Sequence, residues 1–296
     1  MKRCAIFGSN GYLAAHLATR LYKSGWTCDL FDVQPVSRSI EGCYRMCDVL
    51  DECFWKSFEP CLYDAVFFFA GLSGVEPSFA APRKFIAVNE LGLLNLLERL
   101  APLGAKSPRI VFPSSRLVYK GGCGEVTEES PLECKSVYSA NKIACEALLS
   151  AYHARWGLPY SVMRICVPYG NLFPGGYSYG TISFFESQAR QRGRITVYGD
   201  GSCTRTFTHV EDICHAAELL AGIAESGVYN VGGCAYSLQQ VAGFVARRFP
   251  AEVVNVPWPE AAEKVEMGGI TFNSDKLAKV TGFSSYKNLK DFIQEL

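Results

Sequence analysis

Apolar and polar positions follow two different periods along the chain, and the period predicts the element. In the first half, short runs that are apolar throughout indicate strands buried on both faces of a sheet. Longer segments between them carry apolar residues three and four positions apart, as one face of a helix does. The predicted strands are Arg3–Phe7, Thr27–Phe31, Ala65–Phe69, Arg109–Phe112 and Pro159–Arg164, and the predicted helices are Tyr12–Lys23, Phe79–Leu100 and Lys135–Trp156.

This alternation predicts an α/β fold: a doubly wound parallel sheet of the Rossmann type with helices on both faces. The pattern loses its regularity after about Pro168. We therefore expect a Rossmann domain over residues 1–167 and a smaller mixed α/β region over residues 168–296, with the chain free to cross between them. In the second region the pattern predicts a loop over Asn171–Gly180, helices over Thr181–Arg192, His209–Ala224 and Leu238–Phe249, and strands over Arg194–Tyr198 and Val253–Val256.

Composition excludes several classes of protein. Hydrophobic residues make up 49% of the 296 positions, which is enough for a large core and rules out a disordered chain. There are 29 basic and 29 acidic residues, so the net charge is zero. The chain therefore lacks the excess of positive charge expected of a protein that binds nucleic acid or an anionic membrane. Apolar stretches such as Asp64–Gly71 are far shorter than the roughly 20 residues of a membrane span. The N-terminal apolar run stops at Phe7, too early for a signal peptide.

The 13 cysteines are scattered, odd in number and without any C-x-x-C pair. Such a set favours neither a closed disulfide framework nor a zinc site, whose ligands usually come as close pairs. We interpret the cysteines as small core residues of a protein located in the reducing cytoplasm. Four histidines, His16, His153, His209 and His215, fit helices, with His209 at the start of one, so the sequence indicates no metal site.

A glycine-rich turn follows the first predicted strand and opens the first helix. In Gly8-Ser-Asn-Gly11-Tyr-Leu-Ala14, Gly8 suits a tight turn, Gly11 lets the backbone approach a pyrophosphate, and Ala14 lets the helix pack closely. The phosphates would lie at the positive end of the helix. Asp32 ends the next strand, where its carboxylate can accept hydrogen bonds from a ribose and would repel a 2′-phosphate. This region therefore predicts a dinucleotide site that prefers NAD to NADP.

A second group of residues suits proton transfer. Tyr138 and Lys142 lie four positions apart, on one face of a predicted helix. The Lys142 ammonium can then lower the pKa of the tyrosine, so that the phenol exchanges a proton with a substrate hydroxyl or carbonyl near neutral pH. One strand upstream, Ser114 and Ser115 follow an apolar run, which brings a hydroxyl to the carboxyl edge of the sheet.

Together with further motifs in the same order, these features resemble an extended short-chain dehydrogenase/reductase. The resemblance is to the NAD-dependent epimerase/dehydratase family, which acts on nucleotide sugars. It extends through most of the chain, and the order of the motifs argues against an accidental match. The further motifs are Cys47–Asp51, Phe69–Gly71, Ser78 to Pro82, Val88-Asn89, Ser115 to Tyr119, Arg164, Tyr169-Gly170, Tyr198–Gly201, Arg205–Phe207, His209–Asp212 and Tyr229–Gly232.

The resemblance implies roles for individual residues. Ser115 corresponds to the family's catalytic hydroxyl residue, Tyr138 to the general acid/base and Lys142 to its partner. Substrate contacts are implied for Ser73, Ser115 and Arg205, whose guanidinium fork suits a diphosphate. Cofactor contacts are implied for Gly8, Asn10, Gly11, Tyr12, Leu13, Asp32, Asp48, Val49, Ala70, Gly71, Asn89, Tyr138 and Lys142.

The chain also departs from the family pattern. Val167 stands where the family often has an asparagine that contacts the sugar nucleotide, and Thr206 stands where it often has aspartate. Sugar 4,6-dehydratases typically carry Asp-Glu directly after the catalytic hydroxyl residue, whereas Arg116 and Leu117 follow Ser115 here. Leu117 also occupies the place of the cysteine used by members that epimerise at C3 and C5. These departures argue against both reactions and for an unusual substrate.

Three hypotheses remain open from the sequence. A nucleotide-sugar 4-epimerase would pass a hydride to NAD and return it to the other face of a 4-keto sugar, and Asp32 favours this reading. An NAD(P)H-dependent 4-ketoreductase that makes a deoxysugar shares the same machinery, and the short chain and Val167 favour it. A non-catalytic dinucleotide sensor is less favoured, because Ser115, Tyr138 and Lys142 are all present.

The resemblance further implies a homodimer, in which the two long helices, Phe79–Leu100 and Lys135–Trp156, pair with their mates in a four-helix bundle. The apolar residues available on these helices include Leu93, Leu97, Ala144 and Leu148. We expect each of them to face either the partner or the sheet.

Overall fold

The structure is a computed structural model, and it describes residues 1–39, 42–122, 124–173, 180–266 and 268–296. The strands are β1 Arg3–Phe7, β2 Thr27–Asp32, β3 Cys43–Met46, β4 Ala65–Phe68, β5 Arg109–Ser115, β6 Gly124–Val126, β7 Tyr160–Ile165, β8 Val167–Tyr169, β9 Arg194–Tyr198, β10 Thr204–His209, β11 Gly227–Asn230, β12 Cys234–Ser237, β13 Glu252–Val256 and β14 Ile270–Phe272. The helices are α1 Tyr12–Lys23, α2 Glu52–Ser57, α3 Val75–Ala80, α4 Pro82–Ile86, α5 Gly92–Leu100, α6 Val137–Trp156, α7 Gly180–Arg192, α8 Val210–Leu220, α9 Leu238–Arg248, α10 Glu260–Val265, α11 Asp275–Thr281 and α12 Leu289–Glu295.

The described residues form two compact units. The first unit comprises Met1–Val118, Ser136–Arg164 and Cys214–Tyr229. The second comprises Tyr119–Lys135, Ile165–Ile213 and Asn230–Leu296. The chain therefore passes between the units several times, and the roles predicted for residues 1–167 and 168–296 stay predictions.

The first unit is built on a seven-stranded sheet in the order β11-β7-β5-β4-β1-β2-β3. Strand β1 pairs in parallel with both β2 and β4, so the chain winds outward from β1 in two directions. Its residues Cys4 to Phe7 are fully buried, as a strand with helices on both faces requires. On one face the Phe7 ring stacks on Phe31 at 4.8 Å and on Trp55 at 5.1 Å. The predicted doubly wound Rossmann fold is confirmed.

One predicted helix is interrupted in the structure. Instead of a continuous helix over Phe79–Leu100, the chain forms α3, α4, a π-helical segment over Ala87–Leu91, and α5. Pro82 is one cause, since proline lacks a backbone N–H and disfavours helical backbone at the residue before it. That residue, Ala81, has φ −138° and ψ 56°. The break matters because π-helical turns often occur at functional sites.

The second unit holds two smaller sheets. In the larger, the strand order is β12-β10-β14-β6, and β8 also pairs with β10. The smaller pairs β9 with β13 in parallel. Sequence periodicity missed most of these short strands, and it placed His209 at the start of a helix, whereas His209 ends β10. Part of the loop predicted over Asn171–Gly180, residues 174–179, lies outside the described residues.

The interpretation of the cysteines as core residues is only partly right. Six of the twelve described cysteines are buried, Cys4, Cys28, Cys47, Cys145, Cys166 and Cys214. Cys43, Cys53, Cys61 and Cys134 are exposed, and Cys203 and Cys234 lie in between. Cys123 lies outside the described residues. Among the described helices none is long and apolar enough to cross a membrane.

Two of the residues suggested for a dimer interface face the interior. Leu93 and Leu97 are fully buried in the apolar cluster under the sheet, and Leu148 packs against the same cluster. The exposed large apolar side chains on these segments are instead Phe79, Ile86, Leu91 and Trp156. The homodimer stays a prediction, and Leu93 and Leu97 do not contribute to its surface.

Candidate active site and cofactor cradle

The glycine-rich turn lies where β1 and β4 end side by side. Gly8 has φ +74°, and a Cβ there would lie 2.6 Å from the backbone nitrogen of Ala70. Any side chain at Gly8 would therefore clash with the end of β4. The turn is held to the other neighbour as well, because the Gly8 N–H donates to the Phe31 carbonyl at 2.8 Å. Here the strand order reverses direction, which is where open α/β sheets bind ligands.

The N-terminus of α1 is suited to an anion. Gly11 precedes the helix without any side-chain cap, and the first turn carries no acidic residue. The hydroxyl of Ser9 is buried and has no hydrogen-bond partner among the described atoms. A buried hydroxyl without a partner is costly unless a ligand satisfies it. With the close approach at Gly8, these features fit a dinucleotide whose phosphates rest on the helix end.

Asp32 lies at the end of β2, as predicted. Its carboxylate accepts hydrogen bonds from the backbone N–H groups of Asn10 and Gln34, both at 3.0 Å. These contacts use one lone pair on each oxygen and leave others for a ribose. The Asn10 side chain binds the following segment, donating to the Val36 carbonyl at 2.9 Å and accepting from the Arg38 N–H at 2.8 Å. Asn10 therefore shapes the loop beside Asp32.

The other predicted cofactor residues differ in exposure. Asp48 is exposed, whereas the Val49 side chain is buried in the apolar cluster. The Asn89 side chain clamps the backbone of Leu72, accepting from its N–H at 2.7 Å and donating to its carbonyl at 3.1 Å. This clamp fixes the segment after β4, which contains the predicted residues Ala70, Gly71 and Ser73. Gly71 and Ser73 are exposed.

Tyr138 and Lys142 share one face of α6, as their spacing predicted. Ser136 begins the helix with a capping box, in which its hydroxyl accepts from the Ser139 N–H at 3.1 Å and the Ser139 hydroxyl accepts from the Ser136 N–H at 3.0 Å. This cap places Tyr138 in the first turn and Lys142 one turn later. The Lys142 Nζ lies 5.8 Å from the centroid of the Tyr138 ring.

Lys142 joins α6 to the end of β5. Its Nζ donates to the Pro113 carbonyl at 2.7 Å and lies 4.5 Å from the centroid of the Phe112 ring. Ser115, two residues after Pro113, ends the same strand, and its hydroxyl accepts from the Leu117 N–H at 3.2 Å. Burial lowers the pKa of Lys142 to about 8. The structure therefore brings Lys142 together with both Tyr138 and the strand that carries Ser115.

A buried ion pair beneath Lys142 was missed by the sequence analysis. Glu146 follows Lys142 by one helical turn and forms a two-point contact with Arg164, with Nη2 to Oε2 at 2.6 Å and Nε to Oε1 at 3.1 Å. The Ser114 hydroxyl also donates to this carboxylate. Both charged side chains are almost entirely buried. The four-residue spacing from Lys142 to Glu146 was the available signal, since it puts both on one helix face.

Arg205, the predicted diphosphate ligand, belongs to the second unit. It lies in β10, and its Nη2 donates to Glu266 Oε1 at 2.9 Å. Two residues near Arg205 differ from those that the family often has at the same positions, and both are buried in the packing of the second unit. Thr206 is buried, and its hydroxyl accepts from the Phe272 N–H at 2.8 Å. Val167 is buried in β8, paired with Phe207 of β10.

Comparison with known proteins identifies the family of the chain. The profile of the NAD dependent epimerase/dehydratase family matches residues 4–232. A dTDP-glucose 4,6-dehydratase of Xanthomonas campestris pv. campestris (strain B100) is 33% identical over 180 residues, 57% of this chain and 50% of that protein. A UDP-glucuronate 4-epimerase of Thermodesulfobacterium geofontis (strain OPF15) is 31% identical over 179 residues, 60% of this chain and 53% of that protein. The chain thus spans about half the length of these relatives.

Solved structures extend the likeness to the whole fold. The structure of MoeE5 in complex with UDP-glucose and NAD is 28% identical and covers 98% of this chain and 96% of that one, with a TM-score of 0.81.

We predict that Asp32 sets the preference for NAD over NADP. Replacing Asp32 with alanine removes a ribose acceptor and a charge that repels a 2′-phosphate, so NAD binding should weaken by about 10–100-fold, in line with a charged hydrogen bond. NADP binding should weaken less. The ratio of the two dissociation constants is the quantity to measure, because losing the contacts to Asn10 and Gln34 affects both cofactors.

Asp275→Ala is the matched control, since Asp275 is an exposed carboxylate in the first turn of α11, away from the predicted cofactor residues in sequence. It should leave the ratio unchanged. Tighter binding of NADP than of NAD by the unaltered protein would contradict the assignment of Asp32.

Proposed function

The chain belongs to the NAD-dependent epimerase/dehydratase family, and from that premise we propose that it is a nucleotide-sugar 4-epimerase acting through a transient 4-keto sugar. Its family is NAD-dependent, and the turn at Gly8, the buried Ser9 hydroxyl and Asp32 fit that cofactor. The observation that carries the proposal is the joint position of Tyr138 and Lys142 beside the end of β5, where Ser115 lies.

The reaction requires a base that later acts as an acid. Bound NAD would supply the hydride acceptor and donor at C4 of the sugar. Tyr138, as a phenolate, takes the proton from the C4 hydroxyl while the C4 hydrogen leaves as hydride. Ser115 donates a hydrogen bond to the same oxygen. After the keto sugar has turned over, Tyr138 would return the proton to the C4 oxygen while bound NADH would return the hydride to the other face, which inverts C4 with no net redox change.

Lys142 has two tasks in this scheme. Its ammonium stabilises the Tyr138 phenolate by charge, and its donors can hold the nicotinamide ribose. The Pro113 carbonyl fixes the direction of the Lys142 side chain. Because burial brings the pKa of Lys142 only to about 8, the group is mostly charged at neutral pH.

Two features favour epimerisation over related reactions. Arg116 and Leu117 follow Ser115, so the chain lacks the Asp-Glu pair that sugar 4,6-dehydratases typically carry at these two positions. Asp32 favours an NAD that remains bound and is regenerated, rather than NADPH consumed in each turnover. Arg205 and Ser73 are proposed to contact the nucleotide sugar. We also propose a homodimer, for which a strictly monomeric mass at micromolar concentration would be the contrary result.

The test of the function is a redox balance on candidate substrates. The protein is incubated with UDP-, dTDP-, GDP- and CDP-sugars, and products are identified by mass spectrometry and NMR while the reduced-nicotinamide absorbance is followed. We expect inversion at C4 with no net change in NADH. Consumption of one NAD(P)H per product would instead indicate a 4-ketoreductase, loss of water a dehydratase, and no reaction or absorbance change a cofactor sensor.

We predict that the Tyr138→Phe variant folds and binds NAD but turns over about 10²–10⁴-fold more slowly, the usual contribution of general acid–base catalysis. Ser115→Ala should cost less, because water can partly replace a neutral donor. Lys142→Met should lose both rate and cofactor affinity. In the unaltered protein, activity should rise with pH through an ionisation below the ~10 of free tyrosine.

Tyr152→Phe serves as the control, because Tyr152 lies on the same helix, with its ring 4.7 Å from that of Trp156. It should keep full activity. Near-normal turnover of Tyr138→Phe with a true substrate would move the acid/base to another residue.

A further inference from the structure

The second unit contains a cavity of about 350 Å³, and its lining includes four aromatic rings and one ion pair. Phe184 and Phe185 line one part of it, and the rings of Tyr198 and Trp258 lie 5.2 Å apart in another. The volume lies within the range of about 300–1,000 Å³ typical of small-molecule sites. Such a cavity suits a flat ring held by aromatic side chains.

One wall of the cavity depends on a close approach between the backbone at Gly199 and the side chain of Trp258. Gly199, next to Tyr198, has φ +65°, and a Cβ there would lie 2.8 Å from Trp258 Nε1. The Gly199 N–H donates to the Val256 carbonyl at 2.8 Å, which ties the end of β9 to the end of β13. A larger residue at Gly199 would push Trp258 away, so this wall of the cavity depends on the glycine.

Among the described lining residues, the charged ones are Arg205 and Glu266, and they neutralise one another. The Arg205 side chain is 10% exposed and that of Glu266 19%. Glu266 Oε1 also accepts from the Gly268 N–H at 3.0 Å, so the carboxylate is held from two sides. Arg205 Nε is buried and has no hydrogen-bond partner among the described atoms.

This arrangement constrains any anionic ligand. A phosphate that approaches Arg205 meets a carboxylate that already occupies part of the guanidinium fork, and juxtaposed like charges oppose binding. The pair as a whole offers no net charge to a diphosphate. If Glu266 withdraws, both Nη2, which it now occupies, and the unpartnered Nε become donors for a phosphate.

We infer that Glu266 is a specificity-determining residue that competes with the phosphates of a nucleotide for Arg205. The inference rests on the proposed function, since it takes the ligand of the cavity to be the nucleotide part of the substrate. The unaltered protein then binds a nucleotide mainly through its ring. The phosphates add little affinity until the Glu266 side chain gives up its contact with Arg205.

The test measures dissociation constants by calorimetry on the full chain, at one pH and one ionic strength. The probes are uridine against UDP, and thymidine against dTDP. In the unaltered protein the diphosphate should bind less than about tenfold more tightly than its nucleoside. Glu266→Gln should tighten diphosphate binding by about tenfold or more and leave nucleoside binding unchanged, because only the diphosphate carries the opposed charge.

Two further variants separate this effect from general electrostatics. Glu260→Gln removes the same charge from an exposed carboxylate that pairs with Lys264, outside the lining of the cavity, and should change nothing. In Arg205→Gln/Glu266→Gln, the gain in diphosphate binding should disappear, because the cation that the phosphates reach is gone.

Equal diphosphate affinity in the unaltered protein and Glu266→Gln, with nucleotides bound by both, overturns this inference and leaves the proposed function standing. An equal gain in Glu260→Gln also overturns it. If neither nucleosides nor diphosphates bind to any variant, the nucleotide-sugar function fails, and the inference fails with it.

Discussion

Lys142 lies in the interior of the first unit, with only 8% of the residue exposed, and the rest of the candidate site is arranged around its ammonium group. Burial opposes its charge and brings its pKa down to about 8, while the neighbouring Cys145 and Glu146 side chains act in the opposite direction. A buried cation is tolerated only when its donors have partners. The Pro113 carbonyl supplies one at 2.7 Å, so the end of β5 and the second turn of α6 are held in one register.

That register depends on contacts beyond Lys142. The Ser136 capping box fixes where α6 begins, and the Glu146–Arg164 pair fixes its third turn against β7. Removing one partner of such a buried pair typically costs about 3–5 kcal/mol, because the other charge is left uncompensated. Since Ser114 donates to the same carboxylate, a shift of the pair would also move the strand end that presents Ser115.

Local signals were sufficient for β1, α1 and the turn at Gly8, because periodicity and glycine placement are set by neighbours in the chain. They were also sufficient for the spacing of Tyr138 and Lys142. Pro82 is a local signal for a helix break, but the apolar period on both sides of it predicted one continuous helix. The contacts of Glu146 with Arg164 and of Arg205 with Glu266 join residues far apart in sequence, which no periodicity encodes. The exposed cysteines were missed for the same reason, since exposure depends on tertiary packing.

The pKa of Lys142 tests the central claim most directly. With lysine side chains labelled with ¹³C and ¹⁵N, the Lys142 signal can be assigned by its absence from Lys142→Arg and followed through a pH titration. Its midpoint should lie near 8 in the unaltered protein. It should fall further in Glu146→Gln, because that carboxylate raises the pKa. A midpoint near the ~10.4 of an exposed lysine would contradict the account.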